Sequence, residues 1–356
     1  MKHRSTRLIG ALAVTALAVS ACSSGNATTG TASSKCTPAS TPVINFAAYS
    51  TPREVYGKII PAFQDYWKTK HNDQSVIFEE SYGGSTSQSQ NVVNGFPADV
   101  VALSLAPDVD AIKSAGLITH DWTQAPDKGM VSSSVVALDV RPGNPKNIKD
   151  FNDLTQSGLQ ILTPDPAQSG GARWNIVGAY GAAMRGYAGN KKNDSAGAQS
   201  LLQKIFSNVT VMDKSARDSI KNFESGNGDV AITYENEILT AQDAGLPDQA
   251  VYPPSTIMIQ NPVAVVDKNA QAHCVQNVAN AFVKFLHTKT AKDLYSTVGF
   301  LRSTNYAKAK KGDPAAHMPA IKDLFTVDDF GGWPSLDQKL FSSNGLFTQA
   351  LKAAQG

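Results

Sequence analysis

Residues 161–184, ILTPDPAQSGGARWNIVGAYGAAM, contain the pattern that decides the fold: an apolar strand, a turn and a helix. Ile161–Pro164 has the composition of a buried strand end, and Ser169–Gly171 opens a helix with a long apolar face. Three more helices are predicted to begin just after strands, at Thr51, Ser85 and Ser215. Strands that alternate with helices predict an α/β fold with a largely parallel sheet.

The four predicted helix starts suit a small anion. In open α/β sheets, ligands lie beyond the carboxyl ends of the strands, where these helices begin. A helix start presents unpaired backbone N–H groups and a partial positive charge, and glycines such as Gly84 and Gly171 let a ligand approach the backbone closely. Each turn taken alone is better explained as an ordinary helix cap, because Ser and Thr are common capping residues.

Length and composition indicate a soluble protein with two lobes. The chain has 356 residues, more than one hydrophobic core usually supports. Its hydrophobic content of 42% and charged content of 17% are ordinary for globular proteins. The net charge of +2 becomes −1 without the three basic residues of the first 21, and no basic cluster suggests nucleic-acid binding.

Residues 1–21 have the features of a secretory signal peptide: basic residues, then an apolar run of about a dozen residues, then small residues. Cys22 follows directly and is predicted to be lipidated as the first residue of the mature protein. The alternative is ordinary cleavage near Ala21 with an unmodified Cys22. Residues 22–41 are rich in small polar residues and predict a flexible tether, which would anchor the protein to the extracytoplasmic side of the cell membrane.

Two further cysteines, Cys36 and Cys274, are predicted to form a disulfide, because exported proteins fold in an oxidising environment. The alternative is two unpaired thiols, since the sequence does not give their separation.

The sequence does not favour an enzyme. Ser85 and Ser169 lie outside any G-x-S-x-G motif, and the histidines have no spacing typical of a metal site. Phosphate-binding loops and dinucleotide fingerprints are also missing from the sequence. We therefore expect a binding protein that needs neither a cofactor nor a metal.

Several segments resemble motifs of the periplasmic sulfate-binding proteins. These segments are AYSTPRE (48–54), SYGGS (81–85), RPGNPK (141–146), SGGARWN (169–175), YENE (234–237), LFTVD (324–328) and FGGW (330–333). The resemblance runs from about Val43 to Phe347. SGGARWN and the C-terminal motif are specific when taken together, whereas GGS alone is weak.

The resemblance implies a two-lobe periplasmic-binding-protein fold of type II. Each lobe would be a mainly parallel sheet flanked by helices, and hinge strands would join the lobes. Residues 42–133 and 257–300 would form one lobe and residues 134–256 the other. Residues 301–356 would form a C-terminal helical segment that the sequence assigns to neither lobe.

The resemblance also implies that sulfate is held between the lobes by neutral donors. These donors would be the backbone N–H groups of Ser50, Ser85, Gly170, Gly171 and Ala216, the hydroxyl of Ser169 and, as an addition, the hydroxyl of Ser85. Tyr234 stands where the family has an indole donor, and its phenol can also donate one hydrogen bond. Arg53 and Arg217 would support the site without contacting the ligand, with Arg217 bracing the helix start of the opposite lobe.

The implied partners are sulfate and the permease subunits of an ABC importer with their ATPase. The binding protein itself is expected to be a monomer. Other cargoes remain open on the same fold: thiosulfate, molybdate or tungstate, phosphate and ferric iron. A structural surface lipoprotein without a small-anion site is the other alternative.

Overall fold

The computed structural model describes residues 36–37, 39–302 and 318–355. The predicted signal peptide, Cys22 and most of the predicted tether lie outside the described residues. Within the described part, no helix combines the length and the apolar character needed to cross a membrane.

Strands and helices alternate along the described chain. The strands are β1 (Val43–Tyr49), β2 (Ile77–Gly83), β3 (Val100–Ala102), β4 (Met130–Val140), β5 (Ile161–Pro164), β6 (Val209–Asp213), β7 (Val230–Tyr234), β8 (Gln249–Val251), β9 (Ser255–Val265) and β10 (Asp323–Phe325). The helices are α1 (Arg53–Lys70), α2 (Ser85–Val93), α3 (Ala106–Ser114), α4 (Gly170–Met184), α5 (Ser195–Ser207), α6 (Ala216–Glu224), α7 (Glu235–Asp243), α8 (Asp267–Ala272), α9 (Gln276–Leu286), α10 (Lys289–Thr297), α11 (Gly332–Leu336) and α12 (Leu346–Gln355). The predicted α/β class is confirmed.

The strands pair in the order β2-β1-β3-β9-β4-β7-β5-β6, with β8 on β4 and β10 on β9. Strand β1 is parallel to β2 and β3, and β5 is parallel to β6 and β7. Strands β4 and β9 are antiparallel to each other and have eleven residues each. Because β9 also pairs with β3 and β4 with β7, these two long strands connect the two parallel groups.

Separate apolar clusters pack on the two groups of strands. Around β1, Phe46, Phe63 and Phe282 form edge-to-face aromatic contacts with centroid distances of 5.0–5.5 Å. Around β4 and β7, the residues of α4 and α5 pack into a second cluster that includes Tyr180 and Phe206. Each group of strands is therefore stabilised by burial of its own apolar side chains.

The described C-terminal residues pack on the second cluster. The rings of Phe347 in α12 and Phe206 in α5 are 4.8 Å apart, as are those of Trp333 and Trp174. The segment also contributes a strand, β10, paired with β9. The C-terminal segment, which was predicted to be helical, therefore also holds one short strand at Asp323–Phe325 that extends the sheet.

Two of the predicted caps are found as expected, and two differ. Ser169 and Ser215 occupy the N-cap positions of α4 and α6. Helix α2 has Gly84 as its N-cap, so Ser85 is its first helical residue. Helix α1 begins at Arg53 with Pro52 as N-cap rather than Thr51; its first hydrogen bond runs from the N–H of Tyr56 to the carbonyl of Pro52.

A disulfide joins Cys36 to Cys274, with the two Cα atoms 5.4 Å apart, so the predicted pairing is confirmed. The bridge ties the first described residues to the loop that follows α8. It closes a loop with a sequence separation of 238 residues.

Removing this disulfide is expected to lower the free energy of unfolding by about 2–4 kcal/mol, because the bridge restricts the unfolded chain over a long loop. Chemical denaturation of the oxidised and reduced protein measures the difference. The double change Cys36→Ser and Cys274→Ser is the control, since its stability should not respond to reductant. Equal stability of the oxidised and reduced wild type would contradict the prediction.

Candidate functional site

A small cavity lies where strand ends meet helix starts. Its lining residues come from the ends of β1, β2 and β7, from the chain after β3, and from the starts of α2, α4 and α6. They are Tyr49, Ser50, Thr51, Gly83, Gly84, Ser85, Ser104, Ser169, Gly171, Ser215, Ala216 and Tyr234. The free volume is about 10 Å³, near the minimum that holds one water molecule, so the cavity suits a small inorganic ion rather than an organic ligand.

The lining is polar and neutral. Among the described residues that line the cavity, none carries a charged side chain. The hydrogen-bonding groups are backbone amides and the hydroxyls of Ser, Thr and Tyr. Such a site has many donors and no fixed counter-charge, which favours an acceptor-rich anion bound by several weak dipoles.

Three helix starts supply backbone donors. In the described structure, the N–H groups of Ser85, Gly170, Gly171 and Ala216 donate to no protein acceptor. They belong to the first turns of α2, α4 and α6, whose first amides have no partner within the helix. Because Ser85, Gly171 and Ala216 all line the cavity, their unpaired donors converge on one small space.

The hydroxyl of Ser169 is also available. Ser169 is the N-cap of α4 and is 2% exposed, yet its side chain makes no capping hydrogen bond. By contrast, the Ser215 hydroxyl accepts from the N–H of Asp218 and donates to its carboxylate at 2.7 Å. Ser215 is therefore a structural cap, whereas the Ser169 hydroxyl can donate to a ligand.

Close backbone packing explains two glycines of the site. A Cβ atom at Gly171 would lie 2.8 Å from Cε2 of Tyr234 and 3.2 Å from Cβ of Ala216. A Cβ atom at Gly84 would lie 2.6 Å from the carbonyl oxygen of Lys214. Any side chain at either position would push the helix starts apart, so both turns require glycine.

The residues after the SGG turn hold α4 in place. Trp174 donates from Nε1 to the carbonyl of Ser104 at 3.0 Å. Asn175 donates from Nδ2 to the carbonyl of Ile232 at 2.6 Å, and Arg173 pairs with Asp337 at 3.0 Å. Three consecutive side chains thus fix the helix start against β7, the chain after β3 and the C-terminal segment.

The Ser85 hydroxyl does not face a ligand as a free donor. It donates to Oδ2 of buried Asp108 at 2.5 Å and accepts the N–H of Ser104 at 2.9 Å. In this conformation Asp108 takes the hydrogen of the Ser85 hydroxyl, so the predicted additional donor is not free. Burial raises the pKa of Asp108 to about 6, although hydrogen bonds from Ser85 and Thr86 and the charge of Arg173 lower it.

Ser50 lines the cavity, but its amide is already used. The N–H of Ser50 donates to the carbonyl of Gly83 at 3.0 Å and so continues the pairing of β1 with β2. In this conformation the predicted backbone donor at Ser50 is therefore not free.

Tyr234 is 1% exposed, and its hydroxyl oxygen lies 2.6 Å from Oγ of Ser104. Burial raises the pKa of Tyr234 well above its ordinary value, so the phenol stays protonated. Ser104 was not among the predicted site residues.

The two arginines behave differently. Arg217 in α6 pairs with the buried carboxylate of Glu237 at 2.6 Å and reaches the start of α1, where it donates to the Thr51 carbonyl at 3.0 Å and to Glu54. Arg53 is exposed, and its guanidinium lies 5.4 Å from the ring centroid of Tyr82. Neither lines the cavity, and only Arg217 connects two of the elements that surround it.

The structure thus brings six of the seven predicted ligand-binding residues to one cavity: Ser50, Ser85, Ser169, Gly171, Ala216 and Tyr234. Gly170 does not line the cavity, but a Cβ atom at this residue would lie 2.7 Å from Oγ of Ser104, which does. Sequence reasoning missed Ser104, Tyr49, Thr51, Gly83, Gly84 and Ser215 as lining residues. Four of these adjoin predicted positions and could have been found from the same turns. Ser104 gave no such signal.

The chain is similar over most of its length to proteins named as anion-binding proteins. The chain is 40% identical over 316 residues to the sulfate-binding protein of Synechococcus elongatus, covering 88% of this chain and 87% of the relative. It is 33% identical to the thiosulfate-binding protein of Pseudomonas aeruginosa, covering 87% and 92%. The solved structure of the sulfate-binding protein SubI from Mycobacterium tuberculosis superposes with a TM-score of 0.75 at 36% identity, covering 85% of this chain and all of the other.

A family model matches most of the chain. The model, described as bacterial extracellular solute-binding protein, covers residues 44–301. This range includes every residue that lines the cavity. The chain therefore belongs to the bacterial extracellular solute-binding proteins.

Proposed function

We propose that this protein captures sulfate outside the cytoplasm and delivers it to an ABC importer. The observation that carries the proposal is the convergence of unpaired backbone N–H groups from α2, α4 and α6 on one neutral cavity. Relatives named as sulfate-binding proteins, with 36–40% identity over most of the chain, support the choice of ligand. A binding protein returns its ligand unchanged, so no catalytic group is required.

Sulfate matches the chemistry of these donors. At neutral pH it is a dianion with four acceptor oxygens and no hydrogen, so every oxygen can accept from an N–H group. Hydrogen phosphate carries a proton that needs an acceptor, and a backbone N–H cannot accept. Such a ligand would leave a buried polar hydrogen unpaired or displace a donor, at a cost of about 1–3 kcal/mol.

Thiosulfate is the second candidate, because a relative named as a thiosulfate-binding protein is 33% identical over 87% of this chain. Thiosulfate replaces one oxygen of sulfate by a larger sulfur, which accepts hydrogen bonds weakly. Molybdate is larger than sulfate in all directions and fits the small cavity less well.

Capture would involve closure of two lobes, formed by residues 42–133 with 257–300 and by residues 134–256. The long strands β4 and β9 would act as hinges. Ser85 and the Ser169–Gly171 turn would then come from opposite lobes, so closure would complete the donor set. The contacts of Arg217 with Glu54 and the Thr51 carbonyl support this proposal, since Arg217 belongs to one proposed lobe and both partners belong to the other.

We further propose that lipidated Cys22 and the tether up to residue 41 keep a monomeric protein at the cell membrane. The tether would raise the effective concentration of the binding protein near the importer. The leader sequence and the family of exported proteins support this location.

Calorimetric titration of the ligand-free domain at neutral pH tests the proposed function. We expect one-to-one binding of sulfate, weaker binding of thiosulfate and molybdate, and no binding of phosphate. Tight binding of thiosulfate with weak binding of sulfate would identify thiosulfate as the transported anion. The absence of binding for all four anions would refute the anion-binding function.

Gly171→Ala is expected to weaken sulfate binding by at least about tenfold, the loss of one hydrogen bond to a charged group. Its methyl group would lie 2.8 Å from Tyr234 and would force apart donors that must converge. Gly178→Ala is a matched control in the same helix, since its Cβ meets neighbours only at 3.4–3.5 Å. Titration calorimetry compares the two variants, and equal affinities would argue against the site.

Sulfate affinity is expected to rise as the pH falls through about 6, the pKa of Asp108. Protonation neutralises the carboxylate of Asp108, which is hydrogen-bonded to Ser85, and so removes its repulsion of the bound anion. This repulsion is worth about 1 kcal/mol, or about fivefold in sulfate affinity. Titrations from pH 5 to pH 8 measure this effect.

Asp108→Asn provides the control for the pH dependence. The amide oxygen can still accept the Ser85 hydrogen, and the other charged groups that act on Asp108, Arg173 and Asp337, remain in place. The variant should bind sulfate with little pH dependence over this range. A pH slope equal to that of the wild type would show that Asp108 is not the group responsible.

A further inference from the structure

Ser104 and Tyr234 form a buried hydroxyl pair in the wall of the cavity. Ser104 follows β3, Tyr234 ends β7, and the two side-chain oxygens are 2.6 Å apart. Each residue is 1% exposed, and both line the cavity. The pair therefore joins two different parts of the sheet at the point where the free backbone donors converge.

The backbone of Ser104 is held on both sides. Its N–H donates to Oγ of Ser85 at 2.9 Å. Its carbonyl accepts from Nε1 of Trp174 at 3.0 Å and from Nδ2 of Asn261 at 3.3 Å. With these bonds in place, only rotation about its Cα–Cβ bond can move the Ser104 hydroxyl, and the pair keeps a fixed position relative to α2 and α4.

The glycines of the SGG turn leave room for this pair. A Cβ atom at Gly170 would lie 2.7 Å from Oγ of Ser104, and one at Gly171 would lie 2.8 Å from Cε2 of Tyr234. The turn that opens α4 is thus shaped around both hydroxyl-bearing residues as well as around the cavity.

A count of hydrogens shows what the pair can donate. Each hydroxyl carries one hydrogen, and their mutual bond uses one of the two. Within the described structure neither hydroxyl has another hydrogen-bond partner. Whichever hydroxyl donates to the other, one hydrogen remains available on the cavity wall. The raised pKa of Tyr234 is consistent with a pair that keeps both hydrogens.

We propose that Ser104 and Tyr234 act as a single donor that gives one hydrogen bond to the bound oxyanion. This inference rests on the proposed function and adds Ser104 to its binding residues. The pair supplies a neutral donor, like the backbone amides around it. Since the mutual bond polarises the hydroxyl that faces the ligand, the two residues contribute together and not as independent contacts.

A double-mutant cycle tests the pair. The single variants are Ser104→Ala and Tyr234→Phe. We expect removal of the hydroxyl that faces the ligand to weaken sulfate binding by about tenfold to a hundredfold, the range for a hydrogen bond to a charged group. Removal of the other hydroxyl should weaken binding less, because the remaining hydroxyl keeps its hydrogen but loses the bond that polarises it. The double variant should bind no more weakly than the weaker single variant, because the polarising hydroxyl contributes only through the hydroxyl that faces the ligand. Additive losses, or unchanged affinity in either single variant, would overturn the inference.

Tyr295→Phe is the matched control. Tyr295 and Tyr56 also form a buried hydroxyl pair, with oxygens 3.0 Å apart, but they belong to the cluster around β1 and do not line the cavity. Breaking that pair should leave sulfate affinity unchanged, and thermal unfolding of every variant checks that it is folded. If the wild type itself does not bind sulfate, the proposed function fails as well, which distinguishes that outcome from failure of the pair alone.

A second measurement separates donation from a merely structural role. Replacing Tyr234 by 3-fluorotyrosine keeps the hydroxyl and makes it more acidic. A more acidic phenol strengthens the donor whichever way the mutual bond runs, so sulfate should bind more tightly than to the wild type. Unchanged or weaker binding would mean that the pair only supports the fold.

Discussion

Buried backbone N–H groups need acceptors, and the site of this protein follows from that requirement. Leaving one such group unpaired costs about 1–3 kcal/mol, yet the first turns of α2, α4 and α6 direct several unpaired donors at one small space. An oxyanion with four acceptor oxygens satisfies several of them at once. Because these donors are part of the helix backbone, they are already oriented, and little ordering opposes binding.

The architecture of the sheet makes this convergence possible. Parallel strands place their following helices at the same edge, and β4 and β9 connect two such groups of strands, whose helix starts line the cavity. Arg217 reinforces the arrangement from outside the lining, since it contacts both buried Glu237 and the start of α1. Charged groups thus position the helices, while neutral groups line the cavity. Because no positive side chain lines the cavity, an anion is selected by the hydrogen bonds it can accept and not by its charge alone.

Local patterns predicted much of this structure, and contacts between distant residues set the rest. The caps at Ser169 and Ser215 and the glycine at 171 follow from short turns whose residue types have direct conformational meaning. The bond between Ser104 and Tyr234 joins residues 130 positions apart, which no local pattern encodes. The partners of the Ser50 amide and of the Ser85 hydroxyl are likewise not encoded locally, because Gly83 and Asp108 engage them through the tertiary fold.

A crystal structure of the sulfate complex tests the central claim most directly. We expect sulfate oxygens within about 2.7–3.2 Å of the amide nitrogens of Ser85, Gly171 and Ala216 and of the Ser169 hydroxyl, with no Lys or Arg side chain in contact. Sulfate bound to a basic side chain, or bound outside this cavity, would contradict capture by neutral donors at converging helix starts.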